Sequence, residues 1–328
     1  MLPKSRVVSA LLVGLGVALV VAGLLAPRAL PADTRLPLDL GQQTWTITDP
    51  HARTRLMTNP QGRVLDAPVT RQLHMTLEEP ANEDTVSVRV GSTLARDSMQ
   101  SDADRLIDAK VWNWRMDRLS GEPVGSAVLA DQLASPTKNV EMGGVWLKFP
   151  ANAERKNYDV FDETLRRAYP AEFAEEVEIA GRTIYRYHQH IDPQNVRAQY
   201  AHPFNEVELH QEGEGDGDGG DTATGYLFHS VSRDIFVDQA TGLVVRLDEQ
   251  VTDFYGRDAG DRAETVLEFS GTMPDEQVEA LLDAASSADA ARATGPVSWA
   301  LIAGGAVVTV IGIAGAFGAF RSWRNRKA

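Results

Sequence analysis

The sequence predicts a mainly β (α+β) protein, with one antiparallel, strand-rich domain carrying few short helices and flanked by two transmembrane helices. Three observations carry that class. Residues 7–26 and 297–320, near the two ends, are apolar stretches without a single charged side chain. From Thr44 onward, hydrophobic residues recur with period two rather than 3.6. Helical periodicity between the ends is confined to short pieces.

Each apolar stretch has about the ~20 residues that ~30 Å of hydrocarbon demands of a helix. A cleaved signal peptide is the other reading of the first one, since Lys4 and Arg6 precede it and small residues follow near Ala26 and Ala29. Its length and its Gly14, Gly16 and Gly23 favour a membrane span packed on another helix. The second span has Gly304, Gly305, Gly312, Gly315 and Gly318, so the two suit pairing with each other.

Basic residues flank the spans on their outer sides, at Lys4 and Arg6 and again at Arg321, Arg324, Arg326 and Lys327. By the positive-inside rule residues 1–6 and the basic tail 321–328 are cytoplasmic, and residues 27–296 form an extracytoplasmic domain of a two-pass protein in the cytoplasmic membrane. Setting those six aside leaves 26 of the 32 Lys and Arg in the domain against all 46 Asp and Glu, a formal charge of about −20. Such a surface repels phosphate polymers, which makes nucleic acid an unsuitable partner. With no cysteine, the chain has no disulfide, thiol nucleophile or thiolate metal site.

Along the domain, Val69, Arg71, Leu73, Met75 and Leu77 alternate with polar residues, as do Val86, Val88, Val90 and Leu94. Each set reads as a strand with one wet face. Further strands are expected at Ala109 to Met116, Val145 to Phe149, Glu176 to Ile191, Gly225 to Asp238, Leu243 to Phe254 and Thr265 to Gly271. Ala180 and Gly181 form one hairpin turn, and the run from Asp238 to Gly242 forms another. Two helical turns are expected at Asp162 to Ala168. A better helix spans residues 273–285, with Thr272 as N-cap and Val278, Leu281, Leu282 and Ala285 on the face that packs on the sheet. Residues 286–295 read as a small-residue tether, and the Gly and acidic run at 212–221 as a flexible loop.

The candidate chemistry is sparse. His188 and His190 lie two apart on one strand face, with His202, His210 and His229 elsewhere, and make a weak zinc candidate beside a plain solvated face. Asp216, Asp218 and Asp221 lack the alternation and closing Glu of an EF-hand. No Gly-x-Ser-x-Gly turn, helical zincin His pair or Ser-x-x-Lys element occurs in the domain, and no cofactor site is expected. Trp112, Trp114 and Met116 share a strand face, with Trp146, Phe149, Tyr158 and Phe161 later. That set suits either a sheet core or a groove for acyl chains or sugar rings, and the three on one strand are the candidate lipid-binding residues.

The run Gly144, Val145, Trp146, Leu147, Lys148, Phe149, Pro150, followed by Lys156, Asn157, Tyr158, Asp159, Val160, Phe161, Asp162 and Thr164, resembles the actinobacterial "porin PorA family", also catalogued as a domain of unknown function. Pro170, Ala171, Glu172 and Phe173, then Gly181 with Tyr185, Arg186 and Tyr187, and Val237, Asp238, Thr241, Gly242 and Val244 extend the resemblance across essentially the whole chain. Phe161 stands where a Trp is common, and the acidic run is an insertion. The resemblance implies a role in building a mycolic-acid envelope, alongside an inner-membrane lipid exporter and in lipoglycan maturation, and brings no established catalytic residues.

An outer-membrane barrel lacks long apolar helices, and small helical porins lack such a domain, so the sequence argues against a pore. The expected function is therefore a non-enzymatic, membrane-anchored factor of envelope biogenesis that binds or traffics a trehalose mycolate or another envelope lipid or glycolipid. An enzyme of lipoglycan or mycolate processing, or a structural scaffold, are the alternatives.

Overall fold

A computed structural model describes residues 4–29, 34–56, 63–97, 99, 101–132, 135–210, 222–293 and 296–316. The acidic run at 212–221 and the basic tail at 321–328 lie outside the described residues. Two compact units divide the chain: Leu38–Ser286, and the terminal segments Met1–Pro37 with Ser287–Ala328.

In order, the elements are α1 (Lys4–Ala29), β1 (Gln43–Arg55), β2 (Val64–Ala81), β3 (Thr85–Arg96), α2 (Asp102–Arg105), β4 (Leu106–Asp117), β5 (Ala127–Ala130), β6 (Lys138–Val140), β7 (Tyr158–Asp162), β8 (Arg167–Ile179), β9 (Arg182–Asn195), α3 (Val196–Gln199), β10 (Glu206–His210), β11 (Thr222–Asp238), β12 (Val244–Gly256), β13 (Glu264–Gly271), α4 (Asp275–Ala293) and α5 (Pro296–Ala316). The fold is mainly β, as the alternating pattern predicts, with an apolar helix near each end.

The strands make one antiparallel sheet in the order β6-β5-β4-β3-β2-β1-β13-β12-β11-β9-β8-β7, and β10 pairs with the first part of β11. Short connections between neighbours force this antiparallel order. Ala180 and Gly181, both at positive φ (49° and 75°), close the β8–β9 hairpin. Gly242, at φ 75°, closes β11 onto β12, and a Cβ there would stand 2.1 Å from the Phe149 carbonyl oxygen. No other residue fits that turn.

Between β1 and β13 the ladder is thin, with Arg53 opposite Glu268, Thr54 opposite Leu267, and an isolated bridge from Thr48 to Thr272. A bulge between Asp49 and Ala52 interrupts β1. Side chains complete the seam: Ser270 N donates to Asp49 Oδ2 at 2.6 Å, and Thr46 N donates to Gln277 Oε1 of α4 at 2.5 Å.

β6 and β7, at the two ends of this order, are not paired with each other. Their halves of the sheet are instead drawn together by side chains, because Phe161 of β7 meets Trp112 of β4 edge-on at 5.3 Å. Trp146 packs against both of them and against Trp114, at 5.7 to 6.2 Å. The core therefore lies between these halves, which are joined by aromatic packing, by the Arg166–Asp131 and Arg71–Glu163 ion pairs, and by the intervening backbone, where Ala151 N donates to Leu119 O at 3.2 Å and Phe149 N to Gly242 O at 2.6 Å.

Four expectations need correction. Asp162 to Ala168 is a strand end and turn, not a helix: Asp162 Oδ1 accepts from Thr164 N at 3.0 Å and Leu165 N at 2.8 Å, and Arg166 takes φ 55°. Val145 to Phe149 makes isolated bridges only, since Leu147 at φ 52° breaks the extended run. Thr272 is not an N-cap, because its backbone pairs with Thr48, and the helix begins at Asp275 instead. That helix continues through 286–293, the greater part of the expected tether, because its alanines are the best helix formers. Its Val278, Leu281, Leu282 and Ala285 are buried, with Ala288 added to the same face.

In the terminal unit, α1 and α5 pack antiparallel along a glycine seam. A Cβ on Gly16 would come within 2.6 Å of Thr309 N, one on Gly305 within 2.6 Å of Gly16 O, and one on Gly312 within 2.8 Å of Val13 N. Small residues let the two backbones approach this closely. Both helices have the length and composition of a membrane span.

Candidate functional site

The period-two pattern that builds the core has charged residues in its buried phase. On β2 Arg71 stands between Val69 and Leu73, on β11 His229 and Arg233 flank Val231, and on β12 Glu249 sits between Leu247 and Val251. Side chains at alternate positions face the same way, so these charges point where their apolar neighbours point.

They meet in one ionic network, completed by Asp162 and Glu163 from the β7–β8 turn. Arg71 Nη1 donates to Glu249 Oε1 at 2.6 Å and its Nη2 to Glu163 Oε1 at 2.7 Å. Glu163 also accepts from Ser92 Oγ at 2.8 Å and Trp112 Nε1 at 3.3 Å. Arg233 Nη2 donates to Asp162 Oδ2 at 2.7 Å, while its Nε stands 3.6 Å from Glu249 Oε2. His229 Nδ1 lies 2.6 Å from Asp253 Oδ1, and Nε2 lies 3.5 Å from Asp162 Oδ2, an ion-pair approach rather than a hydrogen bond.

Burial by itself would lower the pKa of His229, but the Asp162 and Asp253 carboxylates outweigh it and push the imidazole up to about 10. His229 is thus an imidazolium with two ring donors at neutral pH. Asp162 responds inversely: burial would raise it, yet His229 and Arg233 hold it well below the usual carboxylate range. Arg71 is opposed by its burial and held above its ordinary value by Glu249 and Glu163.

This network bounds a cavity of about 700 Å³, whose wall includes Arg71, Asp162, Glu163, His229, Arg233 and Asp253. Also on the wall, Arg166 donates to Asp131 at 2.8 Å and stacks over Tyr200, its guanidinium carbon 3.4 Å from the ring centre. Arg55 lies over the Tyr255 ring at 5.3 Å, and Lys110 pairs with Asp108 at 2.5 Å. Four nitrogens of residues along this wall, Arg55 Nε, Arg166 Nε, His229 Nε2 and Arg233 Nε, are themselves shielded from the cavity and have no hydrogen-bond partner, though His229 Nε2 and Arg233 Nε stand 3.5 and 3.6 Å from the Asp162 and Glu249 carboxylates. A buried donor without an acceptor costs about 1–3 kcal/mol.

The residues singled out from sequence lie elsewhere. Trp112, Trp114 and Met116 are 0%, 5% and 0% exposed and do not line the cavity. They are core, so the expected aromatic groove is filled by Trp146 and Phe161. His188 and His190 sit on the outer phase of β9, where His188 Nδ1 meets Asp234 at 2.9 Å and His190 Nε2 meets Asp192 at 3.3 Å. Among the described residues no group of three or more His, Asp and Glu side chains is placed to hold a metal. Asp216 and Asp218 lie outside the described residues, as does Asp221.

Comparison with known proteins gives a consistent result. A family model described as Porin PorA matches residues 8–314. A "Porin PorA" of Corynebacterium amycolatum is 26% identical over 217 residues, 58% of this chain and 55% of the relative. A second "Porin PorA", from Corynebacterium resistens, is 27% identical over 222 residues, 57% of this chain and 53% of the relative. The alignments span about half the length of these curated relatives.

These matches overturn the expected role as a lipid-trafficking factor of envelope biogenesis, because the family and its relatives carry the name of a porin, a channel-forming protein. The argument from the two spans against a pore falls with it. From residue 8 to residue 314, the family model accounts for nearly the whole sequence, and the chain belongs to the Porin PorA family.

Proposed function

We propose that this chain is a non-enzymatic membrane protein of the cell envelope that takes a small hydrophilic solute into its charged cavity, as its part in the solute passage that the family name denotes. The observation that carries the reading is the buried charge cluster of Arg71, Asp162, Glu163, His229, Arg233 and Asp253 set into an otherwise largely apolar cavity lining. Moving a charge out of water costs several kcal/mol even after relaxation, and an apolar wall would make a more stable core. A cavity of about 700 Å³ lies within the size range of small-molecule sites.

Two features support a role without catalysis. The network's carboxylates are engaged by arginines, an imidazolium, backbone N–H groups or Ser92, which leaves none poised as a free base. Ser92 Oγ donates to Glu163, and the chain has no cysteine.

The spans support a two-pass topology with both termini cytoplasmic and residues 38–286 outside, because basic residues flank the spans and the intervening segment is strongly acidic. One pair of apolar helices, its glycine seam already filled, offers no aqueous path. Passage in this reading therefore needs several chains assembled around it. Purified full chain in liposomes tests the proposal: efflux of a trapped hydrophilic solute is expected to rise with protein-to-lipid ratio, faster than linearly. Liposomes as tight as protein-free controls at every ratio would refute it.

A further inference from the structure

Each charge on the cavity wall is already answered by an opposite one. Arg71 is bonded to Glu163, Arg233 to Asp162, His229 to Asp253, Arg166 to Asp131 and Lys110 to Asp108, at 2.5 to 2.8 Å. Arg55 Nη2 pairs at 2.9 Å with Glu264 Oε2 of β13, a residue that does not line the cavity. Together these pairs take in all the charged side chains of the lining. His202, the other histidine on the wall, is held below the ordinary histidine value by burial and by Lys138, so it is uncharged at neutral pH.

The mouth is a second, independent observation. The lining residues most open to solvent are Leu106, Ala109, Gln132 and Phe204, with Leu106 47% and Phe204 56% exposed. None of the four is charged, in a domain whose formal charge is about −20. Asp108 also reaches solvent, its side chain 43% exposed, but Lys110 neutralises it. Further in, the buried side chains of Val251, Leu267 and Phe269 set apolar surface beside the ion pairs.

A charged solute entering this compartment gives up its hydration, and the wall supplies a counter-charge only by parting one of its own pairs. A hydroxyl needs no such exchange. A carboxylate accepts at about four sites, so a hydroxyl joins a paired carboxylate without separating it from its cation. The carbon face of the same solute meets the apolar lining. We infer that the cavity is a binding site for small uncharged hydroxylated solutes, of which a monosaccharide is the type, and that it discriminates against ions of either sign. This inference rests on reading the cavity as the solute compartment, and it names the class of solute. The preference concerns binding, and a hydrated ion that passes without binding is not subject to it.

Equilibrium dialysis of the full chain, at neutral pH in a detergent without a sugar headgroup, tests it with glucose, glucuronate and glucosamine. The three probes share one ring and differ in charge. Glucose is expected to bind saturably and at least about tenfold more tightly than either charged sugar. Asp108→Asn takes the counter-charge from Lys110 and is expected to move the ratio of glucuronate to glucose affinity about tenfold towards glucuronate. Arg257→Gln, whose side chain pairs with Asp261 on an exposed turn, is expected to keep the parent's ratio. Circular dichroism on Asp108→Asn separates a changed preference from a lost fold.

No saturable glucose binding, either charged sugar bound as tightly as glucose, or folded Asp108→Asn with the parent's ratio would each overturn the inference. Because binding is read without a bilayer, glucose binding with tight liposomes refutes the passage reading alone. Leaky liposomes without a preference for glucose refute the uncharged-solute site alone.

Discussion

Arg71→Met removes the central cation of the ionic network while keeping most of the side-chain volume. Glu249, whose side chain is 0% exposed, then loses its bonded partner and keeps only Arg233 Nε at 3.6 Å. Glu163 is less affected, because Ser92 and Trp112 still donate to it. Breaking a buried ion pair from one side costs about 3–5 kcal/mol. At about 2–4 °C per kcal/mol for a domain of this size, the melting temperature is expected to fall by roughly 6–20 °C. Thermal unfolding of the full chain in detergent, followed by circular dichroism, reads that shift.

The double variant Arg71→Met with Glu249→Met replaces the pair by apolar groups and is expected to recover most of the loss, since such replacements are often neutral. A single variant that costs less than about 1 kcal/mol, the range of exposed pairs, would show that the network is solvated and the reasoning wrong.

His229 has its pKa raised on folding to about 10, so its contribution is complete below the ordinary histidine value of about 6.5 and is lost as pH rises through about 10. Asp162 is depressed, so its contribution is present above about 3.9 and lost as pH falls towards its folded value. Urea midpoints are therefore expected to decline from neutral to alkaline pH, and His229→Asn is expected to flatten that limb; a parent profile flat from about 6.5 to 10 would contradict the pairing. Trp112→Ala is expected to cost about 3–5 kcal/mol as a core truncation. Chemical denaturation checks it, and a loss below about 1 kcal/mol would argue that the ring lies open to solvent. Gly16→Leu is expected to separate the spans, read as a lower melting temperature of the full chain in detergent, and an unchanged value would refute the glycine seam.

Where one physical signal dominates, sequence and structure agree. Alternation alone locates β2, β3, β4, β9, β11, β12 and β13, because burying one face leaves no other register open to a strand. Alternation says nothing about a residue held at positive φ, so Leu147 ends a strand that Val145 to Phe149 promises, and Asp162 bends a stretch that reads as helix. Small residues at 286–293 suit a linker and a helix alike, and alanine's strong helix preference decides between them.

The candidate site was legible in part. Arg71 falls in the apolar phase of its strand, and His229, Arg233 and Glu249 occupy the same phase on theirs. A charge at such a position is the sequence trace of a buried ionic site. What the sequence withholds is the β7–β8 turn that delivers Asp162 and Glu163 across the sheet, since that contact depends on how the sheet rolls. Trp112, Trp114 and Met116 follow the opposite course, because an aromatic stripe reads alike as core or groove until Trp146 and Phe161 are seen to fill it.

Conductance of the full chain in a planar bilayer tests the central claim most directly. The account predicts stepwise conductance that rises with protein concentration. A silent bilayer at every protein concentration would contradict it.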